Sequence, residues 1–152
     1  MLIKLTVIIL FSFLILRCSQ SIKEEQTGYK MDSQSQITLE TVNKFNDAFN
    51  RHSVDEIMSL MTDDVIFENT RPTPDGERFE GQEKVRAFWV QMFERSPHAK
   101  FETEEMFAFG DRCVVRWVYH WLKDGKAGHI RGVDVFRIRN GKVAEKFSYV
   151  KG

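Results

Sequence analysis

The chain has 152 residues, a formal charge of zero from 22 basic and 22 acidic side chains, and two cysteines. No basic stripe runs along it, which excludes the electrostatic footprint of a nucleic-acid binder, and two cysteines build no disulfide framework. Thirteen Phe, three Trp and three Tyr favour a large apolar interior or cavity over an extended polar binding surface.

"MLIKLTVIILFSFLILRCSQ" opens with Lys4 and an apolar run to Leu16 broken only by Thr6 and Ser12. The run is short for a membrane span but suits the apolar region of an export signal. Residues 1–18 are therefore expected to be a signal peptide or membrane anchor, placing the protein in a bacterial cell envelope. Cys18 is a candidate lipidation site: "LILRC" is similar to a lipoprotein signal in its apolar body and its Cys, and departs at Arg17, where a small residue is expected. Ordinary cleavage and an uncleaved anchor stay open. Contact with the membrane is expected only through this N-terminus. Residues 19–36, "SQSIKEEQTGYKMDSQSQ", hold little to bury and read as a flexible polar tether. Residues 37–152 then form one domain.

"ITLETVNKFNDAFNRH" spaces Leu39, Val42, Phe45, Ala48 and Phe49 as a helix, with Thr38 as N-cap and Ile37 as staple residue. "SVDEIMSLM" predicts a second helix, Ser53 and Glu56 having capping-box spacing. "DDVIFEN" is a short strand with Val65, Phe67 and Asn69 on one face. "TRPTPDGERFE" is an irregular loop. "GQEKVRAFWVQMFERS" is a third helix presenting Val85, Phe88, Trp89 and Met92. Four strands follow. "KFETEEMFAFG" alternates loosely. "RCVVRWVYHWLKDGK" alternates well, with Cys113, Val115, Trp117, Tyr119 and Trp121 on one face; Cys113 reads as a small core residue. Asp124-Gly125 and Asn140-Gly141 are hairpin signals. In "HIRGVDVFRIRNGKVAEKF", Gly132, Asp134, Phe136 and Ile138 share a face. The fold class is α+β: three helices on one face of a curved, antiparallel or mixed sheet.

"DAFNRHSVDEIMSLMTDDVIFEN", "FEGQEKVRAFW" and "RGVDVFRIRNGKV" resemble the nuclear-transport-factor-2-like superfamily, in particular its SnoaL-like (polyketide cyclase) and ketosteroid-isomerase-like members, over nearly all of residues 37–150. The resemblance implies a cone-shaped half-barrel with a deep apolar pocket against its concave face. It also implies a homodimer through the outer sheet face. Asp134 matches an acidic position that, in ketosteroid-isomerase-like members, donates a hydrogen bond to an enolate oxygen. The positions of those enzymes' carboxylate base and helix-one Tyr fall on Asn69 and Phe45, so a steroid-isomerase mechanism as such is not expected.

On this reading Phe67, Asn69, Trp117, Tyr119, Trp121, Asp134 and Phe136 line the pocket from the sheet. Phe45, Phe49, Val85 and Phe88 or Trp89 close it from the helices. Such a pocket suits a small apolar molecule. The leading expectation is a binding domain for one. An enzyme using Asp134 as general acid/base, in isomerisation, cyclisation, dehydration or hydrolysis, is the alternative. A non-catalytic dimeric accessory domain is the third. Asp134 could instead serve structure by pairing with Arg116, Arg131 or His120. Lys146 could reach the cavity, but the register of its strand is not fixed by sequence. His52, His98, His120 and His129 have no metal-ligand spacing, and no phosphate loop occurs; no metal or cofactor is expected.

Overall fold

The computed structural model describes residues 30–151; the expected leader, with Cys18, and most of the expected tether lie outside them. The first helix, α1 (Ser33–Asn50), starts earlier than its apolar spacing announces, inside the stretch read as tether. Asp32 is its N-cap, accepting from the Ser35 backbone N–H at 2.9 Å. Thr38 is therefore not a cap. It lies buried inside the helix and donates to the Gly110 carbonyl at 2.8 Å, while the Gly110 N–H donates to Ser35 Oγ. These two bonds dock α1 on a hairpin turn of the sheet. Ile37, read as a staple, is exposed.

Helix α2 (Val54–Ser59) follows, with Ser53 at its N-cap position but no capping bond from the Ser53 side chain. Glu56, the other half of the expected capping box, pairs with Arg51 instead. Strand β1 (Met61–Glu68) leads through the proline loop to a short strand β2 (Arg78–Glu80) that the loop signals had hidden. Helix α3 (Gln82–Arg95) comes next. Strands β3 (Lys100–Phe109), β4 (Arg112–Lys123), β5 (Lys126–Arg139) and β6 (Lys142–Val150) form the meander.

The six strands run in the order β2-β1-β6-β5-β4-β3. β1 pairs with β6 in parallel; every other pairing is antiparallel. The helices bury their apolar stripes on one face of this mixed sheet. Phe45 meets Phe136 and Trp89 edge-on, and Phe49 meets Phe101 at 4.5 Å between ring centroids. This is the energetically favoured geometry for aromatic pairs.

Register shifts between β1 and β6, between β3 and β4 and between β5 and β6, and the last two decide which side chains of the meander face inward. Between β3 and β4 the pairing shifts from Thr103–Trp117 to Glu105–Arg116, so Glu104 has no direct partner. Between β5 and β6 it shifts from Ile138–Val143 to Arg137–Glu145, leaving Ala144 as the extra residue. A bulge of one residue reverses the facing of everything beyond it.

Two glycines of β5 give the large side chains of β4 their room. Gly128 pairs with Trp121, and Gly132 with Trp117. A Cβ on Gly132 would lie 2.3 Å from the Trp117 ring and 2.3 Å from the Tyr149 carbonyl oxygen. The backbone atom cannot yield as a flexible side chain would. We expect Gly132→Ala to destabilise the fold by about 1–3 kcal/mol, read as a lower denaturant midpoint with an unchanged slope; an unchanged midpoint would contradict this packing.

Candidate functional site

The concave face of the sheet is built from alternate residues of each strand. Trp117, Tyr119 and Trp121 of β4, Ile130 of β5, Lys146, Ser148 and Val150 of β6, Phe67 of β1 and Phe101 of β3 meet there. With Phe88, Trp89 and Met92 of α3 and the loop residues Asn69, Thr70 and Arg71 they enclose a cavity of about 220 Å³. An apolar cavity of roughly 150 Å³ holds a benzene ring, so this one is large enough for a substituted aromatic.

Of the residues expected on the wall, Phe67, Asn69, Phe88, Trp89, Trp117, Tyr119 and Trp121 border the cavity. Phe45, Phe49, Val85 and Phe136 do not. They are buried in the packed core, where neighbouring rings fill the space that the sequence reading left open. Asn69 borders the cavity, but its side-chain oxygen accepts from the Thr70 N–H at 2.7 Å, which fixes the turn after β1.

Asp134 does not border the cavity either. It is 3% exposed, and Lys146, 4% exposed, stands between it and the cavity wall. Lys146 Nζ lies 2.6 Å from Asp134 Oδ2 and donates to Ser148 Oγ at 2.7 Å. It also sits 5.3 and 5.4 Å from the ring centroids of Phe67 and Phe136, within cation–π range. The partners that sequence allows for Asp134 are engaged elsewhere: Arg116 and Arg131 with Glu104, and His120 with Glu102.

The bulge at Ala144 explains this arrangement. Val143 faces inward opposite Ile138; strict alternation from there would turn Glu145 in and Lys146 out. The extra residue reverses the facing, so Lys146 pairs with Phe136 inward and Glu145 joins Arg112 and Arg137 outside. Lys146 is then the diagonal same-face neighbour of Asp134, which pairs directly with Ser148.

Electrostatics at this spot pull in two directions. Burial pushes the Lys146 ammonium below its ordinary value of 10.5, and the Asp134 carboxylate opposes that shift by its charge and its hydrogen bond. Three buried polar atoms near the site have no hydrogen-bond partner among the described residues: Trp89 Nε1, Trp117 Nε1 and Asp134 Oδ1. Two indole donors and an ammonium thus belong to residues on the wall of one aromatic cavity.

Elsewhere the chemistry is quieter. Glu68 pairs with Arg78 on the surface, away from the cavity lining. Burial pushes the Cys113 thiol up to about 12, so it is an inert core residue. His52 stacks on Phe93 and bonds the Ala99 carbonyl. Among the described residues no group of three metal-ligating side chains converges, and no helix is long and apolar enough to cross a membrane.

A family model described as a SnoaL-like domain matches residues 42–146. The chain belongs to the SnoaL-like family. Among solved structures it is similar to a nuclear-transport-factor-2-like protein of unknown function from Mesorhizobium loti. The two share 36% identity over 81% of this chain and 98% of that one, with a TM-score of 0.70. A putative SnoaL-like polyketide cyclase from Jannaschia sp. CCS1 shares the fold at 20% identity, 82% and 92% coverage and a TM-score of 0.71. So does a protein with a ketosteroid-isomerase-like fold from Catenulispora acidiphila, solved in complex with trimethylamine, at 15% identity, 74% and 85% coverage and a TM-score of 0.66. No curated protein matches.

Removing one member of a buried ion pair leaves an uncompensated charge, which costs about 3–5 kcal/mol. We therefore expect Asp134→Ala to be destabilised by that amount in denaturant unfolding, and Asp134→Leu combined with Lys146→Met to recover most of the loss. Because the folded-state pKa of Lys146 is depressed, the unfolded chain still holds a proton that the folded chain has released between that pKa and 10.5. The stability contributed by Lys146 rises with pH through that window. Wild type should gain on Lys146→Met there; parallel stability curves would contradict the assignment.

Proposed function

We propose that this SnoaL-like domain binds a small, mostly apolar molecule that carries an acceptor oxygen, with Lys146 as its polar contact. The observation that carries this reading is the buried Lys146 ammonium on the wall of a mainly apolar cavity rich in aromatic side chains, with Asn69, Thr70 and Arg71 on its loop side. Lys146 has committed one N–H to Asp134 and one to Ser148, and an ammonium has three. Aromatic walls supply the affinity of such a site and a few placed polar groups supply its orientation.

Asp134 supports this role from behind. Its charge balances Lys146, so the pair presents a hydrogen-bond donor without a net charge, and a neutral carbonyl or hydroxyl fits better than a second carboxylate. An enzyme reading that uses Asp134 directly as general acid/base loses force, because its Oδ2 is engaged and the residue does not reach the cavity. Any proton transfer to a ligand would run through Lys146.

The binding domain is proposed to act in the cell envelope, exported by residues 1–18 and tethered there through its N-terminus. We also propose that it works as a homodimer through the outer sheet face. Phe107, Phe109 and Tyr149 are 57%, 75% and 56% exposed. Arg116 and Arg131 lie beside Glu104 and Glu105 on that side of the sheet. Aromatic area flanked by charges of both signs is self-complementary under a two-fold axis. Phe107→Glu with Tyr149→Glu should lower the sedimentation coefficient from dimer to monomer while the thermal midpoint at low concentration holds; a wild-type monomer would end this part of the proposal.

The ligand reading is tested by native mass spectrometry of the protein purified from its own host, beside Lys146→Met. We expect a small molecule that leaves with the wild type and is missing from the variant. Wild-type protein that is empty, and stays empty after incubation with lipophilic extracts of the host, would overturn it.

A further inference from the structure

We propose that Lys146 captures small aromatic aldehydes or ketones from the cavity as a reversible Schiff base, with Asp134 as the counter-ion. This rests on the ligand-binding reading and gives its ligand a chemical class. Three observations carry it. Lys146 borders a cavity whose other sheet-side walls are mostly aromatic, so an aromatic carbonyl compound is held where its carbonyl can meet the amine. Its Nζ lies between the rings of Phe67 and Phe136, and burial favours the free amine, which is the nucleophile. Finally, Asp134 Oδ2 is 2.6 Å away, within reach of a direct proton transfer.

The step balances without any added reagent. The ammonium passes one proton to Asp134 Oδ2. The freed electron pair of Nζ forms the C–N bond while the carbonyl π bond opens onto oxygen. That oxygen takes a proton from Nζ and becomes the hydroxyl of a carbinolamine, while Asp134, which does not reach the cavity, returns its own proton to the nitrogen. A second proton moves from nitrogen to the hydroxyl, the C–O bond breaks, and water leaves as the C=N bond closes. Two of the three ammonium protons depart with the carbonyl oxygen as water; nothing is oxidised or reduced. The product is a protonated imine that keeps the single positive charge of Lys146. It faces the same Asp134 carboxylate, so the charge balance of the buried site is the same before and after. Ser148 Oγ, at 2.7 Å from Nζ, is placed to hold the departing hydroxyl or water.

The test uses the full chain with benzaldehyde as probe and cyanoborohydride as trap, near neutral pH, followed by peptide mapping. Burial favours the free amine of Lys146 over that of an exposed lysine. We expect one benzyl group on the Lys146 peptide before any appears on Lys84 or Lys142, and suppression of this labelling by excess benzyl alcohol. Because the site is read on wild type, a Lys146→Arg variant that fails to fold does not spoil the result; one that folds should lose the fast label. Labels spread over the exposed lysines, with Lys146 slow or silent, would overturn the proposal. Ligand-observed NMR separates the two readings. Benzaldehyde that binds in the cavity but is never trapped removes the imine and leaves the binding site standing. Benzaldehyde and benzyl alcohol that both fail to bind remove the imine and count against the site itself.

Discussion

One extra residue in β6 sets the chemistry of this protein. The bulge at Ala144 turns Lys146 from the solvent face to the interior, and Asp134 on the neighbouring strand then balances its charge. Two ions without water are stable only while each has the other, since the desolvation of either alone costs several kcal/mol. The pair therefore locks the register of β5 against β6. That register in turn sets which side chains of the concave face meet the helices and which meet the cavity. A slip by one residue would expel Lys146 and bring in Glu145, leaving two carboxylates in an apolar interior.

Around this lock the fold divides its aromatic side chains between two tasks. Phe45, Phe49, Phe136 and Trp89 interlock in edge-on pairs and fill the core between α1, α3 and the sheet. Trp117, Tyr119, Trp121 and Phe101 lie farther along the same face and wall the cavity, with Phe88, Trp89 and Met92 of α3 on its helix side. Gly128 and Gly132 allow the two indoles of β4 to lie over β5. The same alternating pattern thus yields packing at one end of the strands and a ligand space at the other.

Much of this is legible in the sequence. The α+β class, the three helices, the hairpins at Asp124-Gly125 and Asn140-Gly141, and the aromatic face of β4 all come from periodicity and turn chemistry. The family resemblance extends that to the mixed curved sheet. What escapes is decided by single residues. The start of α1 escapes because Ser33–Gln36 are polar and the helix is fixed there by Asp32 and by Gly110, which lies far away in sequence. Strand β2 escapes because three residues after a proline loop carry no period. Lys146 stays ambiguous because a bulge has no signature in side-chain alternation; it is defined only by the partner strand. Alternation marks Asp134 correctly as an inward carboxylate but assigns it to the pocket, since its partner cannot be identified without that register.

Everything in the site depends on Lys146 being a buried ammonium held by Asp134. The most direct test is nitrogen-detected NMR of the lysine side chains through a pH titration, in wild type and in Asp134→Asn. The structure predicts one lysine Nζ with slowly exchanging protons and a titration midpoint below 10.5, whose resonance moves sharply in the variant. Lysine signals that all exchange rapidly, titrate together at the ordinary value and ignore the substitution would mean that Lys146 faces solvent. The register, the ion pair and the ligand site built on them would then fall together.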